Sequence, residues 1–192
     1  MQFFLDAEYG KRAAGFWRGK RGRWRADDTC AKIHGTLNPE SQRLAEWSKA
    51  VRGSSLKRLS LVRPGLENWR LTAGSMSFAD AAFHLIEADE WLFRKLAEPG
   101  LPPMVGRAGT TDISAREQFT ALCDELEALG QRRAAVLESL SPAQLDAKVV
   151  DQRFGGVVTF WWVIVRGNLD HEVHHRGQIA AWLRAAGPAA SS

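Results

Sequence analysis

Apolar side chains recur every three to four positions through four stretches of this chain, which predicts four long helices. Leu44, Trp47, Val51, Leu59 and Val62 mark the first, over about 39–62. Asn38 is placed to cap it, Pro39 takes the first helical position and Pro64-Gly65 stops it. Phe78, Ala81, Ala82, Leu85, Ala88, Leu92 and Leu96 mark the second, opened by a capping box from Ser77 to Asp80 and ending near Pro99-Gly100. Phe119, Leu122, Leu126, Leu129, Val136 and Leu140 mark the third, despite Gly130, with Ser114 and Glu117 as its capping box. Ser141-Pro142 begins a further short helical turn.

The stretch Val157 to Val165 reads two ways. Its β-branched and aromatic run favours a strand, and Gly155-Gly156 could turn a hairpin, but no partner strand is visible in the pattern. Thr159 can instead cap a helix over about 160–186 that Gly187-Pro188 ends, and the helix is the reading adopted. Residues 98–113, rich in Pro and Gly, form a long connection between helices 2 and 3. The expected architecture is all-α: a four-helix bundle over residues 38–187 with that long connection, an irregular N-terminal extension over 1–37 and a tail over 188–192.

Charge sharpens the division. The net charge of +4 lies wholly in residues 1–37, where eight Lys/Arg face four Asp/Glu; beyond them the two signs balance at 18 each. A nucleic-acid arm built on Lys11 to Arg25, with Trp17 and Trp24 interleaved, is one reading of that extension, and a flexible tail is the preferred one. The neutral body argues against nucleic acid as a partner. Cys30 and Cys123 are far apart, which fits neither a disulfide scaffold nor a cysteine zinc site, and Cys123 is expected to pack as a small hydrophobe. With no signal-peptide core and no apolar run of membrane-spanning length, the expectation is a cytoplasmic protein without a membrane partner.

The chemistry concentrates in His171-Glu172-Val173-His174-His175-Arg176-Gly177-Gln178. On a helix, His171 and His175 lie one above the other and can reach one metal ion. His34, His84 and His174 are the candidates for a third ligand. His174 points about 100° away from His175, and His34 falls in the irregular segment. His84 lies mid-helix on a face shared with Ala81, Ala88 and Trp91, as a bundle metal site requires. The string also fits H-E-x-x-H, in which Glu172 would be the general base of a zinc peptidase. Against that reading, no Asp or Glu follows Glu172, no His follows His175, and the extended motif fails at Gln178 and Ala181. Glu172 is a weak candidate for a base, turned about 100° from His171.

The last-helix string His171 to Ile179 resembles the signature of the DinB-like family of four-helix-bundle metalloproteins. Ser75 to His84, with Glu87 and Trp91 following, is similar to that family's entry to helix 2, and Asn68-Trp69-Arg70 to its preceding loop. The resemblance covers about residues 40–187. It implies that His84, His171 and His175 bind a divalent metal ion, nickel or zinc, and that Glu172 and His174 do not. Gln178 and Asn168 could line such a site, the alternative for both being ordinary helix-surface polarity. The family includes thiol-dependent transferases and metal-dependent hydrolases. The resemblance therefore implies a metal-dependent enzyme activating water or a low-molecular-weight thiol towards a small-molecule substrate; a homodimer is one possible assembly. A non-catalytic metal- or ligand-binding bundle acting in a stress response is the alternative from another class.

Overall fold

The computed structural model describes residues 38–106 and 108–187, so the basic extension, His34, Cys30 and the 188–192 tail lie outside the described residues. Four long helices form the body: α1 (Pro39–Leu59), α2 (Phe78–Ala97), α3 (Arg116–Glu138) and, after a short helix and a hairpin, the helix that carries the histidines. Asn38 accepts a bond from the Glu40 amide, and Ser77 and Asp80 exchange the two bonds of a capping box, as their spacing predicts. Two ends differ from expectation. The first helix ends at Leu59, followed by a turn that reaches Gly65 at a φ of 84°; the third begins at Arg116 rather than after Ser114, because the Gln118 side chain, not Glu117, accepts the Ser114 and Ala115 amides.

The ambiguous stretch contains both of its readings. After α4 (Pro142–Asp146), strand β1 (Lys148–Asp151) pairs antiparallel with β2 (Gly156–Thr159), Val149 opposite Val158 and Val150 opposite Val157. The expectation that no sheet exists is corrected here. Four residues per strand are too few to show a period, and the partner follows directly on a helical turn. Thr159 nevertheless caps the next helix, accepting from the Trp162 amide, so the strand ends where α5 (Phe160–Ile164) starts. A π-helical turn (Val165–Leu169), in which the Asp170 N–H bonds Val165 C=O, leads into α6 (Asp170–Ala185). Gly187, at φ 76°, closes it.

The apolar core comes in two clusters. One gathers Leu44, Leu92, Leu137, Val149, Phe160 and Ile164 about the hairpin; the other gathers Leu59, Phe78, Leu85, Leu126, Ile179 and Trp182 at the opposite end of the helices. Between them lies a polar layer to which each long helix supplies one charge. Arg52 of α1 reaches Asp89 of α2 and Glu172 of α6, both at 2.8 Å. Arg133 of α3 reaches the same two carboxylates at 2.8 and 2.7 Å. All four side chains are at most 4% exposed, and two guanidiniums against two carboxylates leave the layer neutral. Arg52 also donates to the Leu126 carbonyl and Arg133 to Ser48 Oγ, which leaves few guanidinium hydrogens unpaired. Gly130 makes the layer fit, since a Cβ there would stand 2.6 Å from Cγ of Arg52. Among the described residues no helix is long and apolar enough to cross a membrane.

Candidate metal centre

Asp80 shapes the approach to the site. Its carboxylate accepts the Ser77 amide at the start of α2 and the amides of Gly109, Thr110 and Thr111, and pairs with Arg70. Asn68 adds a two-ended clamp, accepting from the Ile113 N–H at 3.0 Å and donating to the Ile113 carbonyl at 2.8 Å. Trp69 stacks on Phe78. The Asn68-Trp69-Arg70 loop thus pins the long connection to α2. That connection crosses His84 so closely that a Cβ on Gly106 would lie 2.7 Å from Cε1 of its ring.

The three histidines named by the sequence meet there. Nε2 of His171 lies 3.0 Å from Nε2 of His84 and 3.0 Å from Nε2 of His175. One nitrogen from each ring lies within 4.8 Å of the others. His84 and His175 are 4% and 6% exposed, so water supplies little solvation to these rings. Burial first, then the neighbouring imidazoles, lower the pKa of His171 to about 4 and of His175 to about 3. All the convergent nitrogens of these two rings are therefore free of charge at neutral pH.

A neutral imidazole carries one N–H. Nδ1 of His175 lies 2.8 Å from Gln178 Oε1, an acceptor, so the ring's proton sits on Nδ1 and Nε2 presents its lone pair. One proton on His171 Nε2 could at best be divided between its two neighbours. Nδ1 of His84 and Nδ1 of His171 are buried without a hydrogen-bond partner. The triad is thus unsatisfied as a hydrogen-bonded cluster and well suited to a cation. Nitrogens 3.0 Å apart in two pairs are close enough for one small ion to touch all three rings.

The other candidates separate cleanly. His174 is exposed and outside the cluster. Gln178 touches His175 at Nδ1. Asn168 does not line it: its side chain donates to the Ala88 carbonyl and accepts from Arg133, inside the polar layer. Glu172 faces that layer too, with both carboxylate oxygens on guanidiniums. Burial opposes its charge, but Arg133 and Arg52 outweigh it and hold the carboxyl down to about 2. Cys123 packs half-buried against the second cluster, and burial pushes its thiol up to about 11. Arg52, Asp89 and Arg133 went unread in the sequence. The available signal was a charge within each apolar stripe, as where Arg133 continues the series Leu126, Gly130 towards Leu137.

A helical bundle whose second and last helices bring three imidazoles to one point defines a class, that of bundle proteins with a three-histidine site. The DinB superfamily profile matches residues 42–179, and the chain belongs to that superfamily. Among solved structures it is similar to a DinB-like protein, YjoA of Bacillus subtilis, with a TM-score of 0.57 and 17% identity over 76% of this chain and 92% of that one. At that identity the likeness bears on the fold. No curated protein matches the chain.

Proposed function

We propose that this protein is a metal-dependent enzyme in which His84, His171 and His175 hold one divalent ion, zinc or nickel, and in which water or a small thiol attacks a small-molecule substrate. The observation that carries the reading is the convergence of three Nε2 atoms, 3.0 Å apart in two pairs, with burial lowering the pKa of the His171 and His175 rings. A divalent ion held by His84, His171 and His175 would supply Lewis acidity, lowering the pKa of water or a thiol beside it. The chain's own residues do the rest. Gln178 fixes the His175 tautomer by accepting from Nδ1, so that Nε2 stays a donor to the ion. The segment through Gly106 covers His84 and limits solvent on that side.

Two rivals lose support. A peptidase of the H-E-x-x-H kind needs Glu172 beside the water, but its carboxylate is held by Arg52 and Arg133. A nucleophilic Cys123 is disfavoured by a thiol that stays protonated and packs against the second apolar cluster, outside the histidine group. The non-catalytic binding bundle shares the same site and differs only in turnover.

The test is elemental analysis of the purified chain beside His84→Ala, His171→Ala and His175→Ala. About one zinc or nickel per chain is expected in the wild type, as a single site implies, and a large loss in each variant. Full metal retention by all three would remove the site. Turnover on a panel of activated esters and of thiol–electrophile pairs then separates the enzyme from the binding bundle.

A further inference from the structure

We infer that Arg153, seated between Trp91 and Gly167, forms a subsite that takes the carboxylate of the molecule reacting at the three-histidine centre; the inference rests on the metal-centre reading above. Arg153 lies on the turn between β1 and β2. Its guanidinium carbon stands 4.4 Å from the centre of the Trp91 ring, and the Phe154 ring flanks it at 5.3 Å. Gly167 leaves the room: a Cβ there would lie 3.1 Å from the Arg153 NH2 nitrogen.

Both walls belong to the helices that carry the ligands. Trp91 follows His84 by two turns on α2, and Gly167 precedes His171 by one. The guanidinium therefore lies roughly between one and two helical turns along the helices from the histidines, and its charge is felt at the His171 ring.

The hydrogen-bonding edge of Arg153 is divided. Asp151 accepts from Nε at 3.0 Å and from NH2 at 2.6 Å, which orients the fork. NH1 has no hydrogen-bond partner among the described residues, so the NH1–NH2 edge remains for a planar two-oxygen acceptor. Local charge agrees. Asp151 stands between Arg153 and the buried Lys95, which bonds the Leu101 and Val150 carbonyls, so the corner carries one net positive charge. Glu87, one turn after His84 and 3.9 Å from its Nδ1, sets the opposite sign nearer the ligands. A substrate with its anionic end at Arg153 and its reacting end at the histidines follows this polarity.

The experiment uses the full chain loaded with cobalt(II) and follows the thiolate-to-cobalt absorption band. The probes are 3-mercaptopropionate and its amide, which differ only in the charged end. The wild type is expected to bind the acid roughly tenfold more tightly than the amide, the effect of one charge-assisted contact. Arg153→Gln should bring the acid to the level of the amide and leave the amide unchanged. Gly167→Ala, which crowds the guanidinium, should shrink the same preference at unchanged cobalt content. Equal affinities in the wild type, or a preference intact in both variants, would overturn the subsite. A chain that takes up no cobalt refutes the metal centre instead. The subsite is then read from the Arg153 Nε–H resonance, which must shift with the acid and not the amide; a resonance indifferent to both overturns it.

Discussion

Glu172→Gln puts the polar layer to its sharpest test. The substitution keeps the side-chain shape and removes one charge from a group of four, leaving Arg52 and Arg133 buried against Asp89 alone. Three close contacts change character: 2.8 Å to Arg52 Nε, 3.1 Å to its NH2 and 2.7 Å to Arg133 NH1. An unmatched buried cation follows, and breaking a buried pair in this way costs about 3–5 kcal/mol. The lower end applies, because the amide oxygen still accepts one of the bonds. Against a whole-domain stability of roughly 5–15 kcal/mol the loss is large. In urea, with a slope near 2 kcal/mol per molar, the midpoint should fall by about 1.5 M. Metal content per folded chain should stay at the wild-type value, since Glu172 touches none of the three ligand nitrogens. The reasoning fails if Glu172→Gln unfolds within about 0.5 kcal/mol of the wild type, the range of an ordinary surface change. It fails equally if the variant is fully stable but binds no metal, the outcome a ligating role demands.

Gly130→Ala should destabilise although alanine is the better helix former by about 1 kcal/mol. Its Cβ would meet Arg52 Cγ at 2.6 Å, so a net loss of about 1–3 kcal/mol is expected, and thermal melting that shows a gain would refute the slot. Acid should weaken the metal-free fold from about pH 6.5 downward. His171 and His175 have folded pKa values near 4 and 3, below their unfolded value, so the unfolded chain binds more protons in that window. Stability then falls as pH falls, by at most about 1.4 kcal/mol per pH unit for each ring; a urea midpoint flat between pH 7 and pH 5 would contradict this.

Most of the site was legible because its information is local. Two histidines four apart on a helix share a face whatever surrounds them, and His84 stood out because a bundle needs a ligand from a facing helix. The caps at Asn38, Ser77 and Thr159 were local too, and they hold. What escaped depends on distant partners. The hairpin needs Val149 and Val150 to find Val158 and Val157, and nothing in four residues announces the pairing. The polar layer joins Arg52, Asp89, Arg133 and Glu172, residues separated by up to 120 positions. Asn168, left open between lining the site and surface polarity, does neither: it lies in the π-helical turn and points into the polar layer, and no residue type marks that turn. Glu172 misled in a different way: it completed a familiar motif, while its carboxylate belongs to the interior.

The neutral layer also works as a proofreader of assembly. Each helix contributes a single charge, and the signs close only when all four arrive in register. Sliding the last helix by one residue would turn Glu172 by about 100°, leaving two guanidiniums in the core against Asp89 alone. The same slide would swing His171 and His175 away from His84. Asp89 lies five residues from His84, and Glu172 lies between the other two ligands. An arrangement that misaligns the imidazoles therefore also leaves charge unbalanced in the interior, so the penalty for misalignment is built into the fold itself.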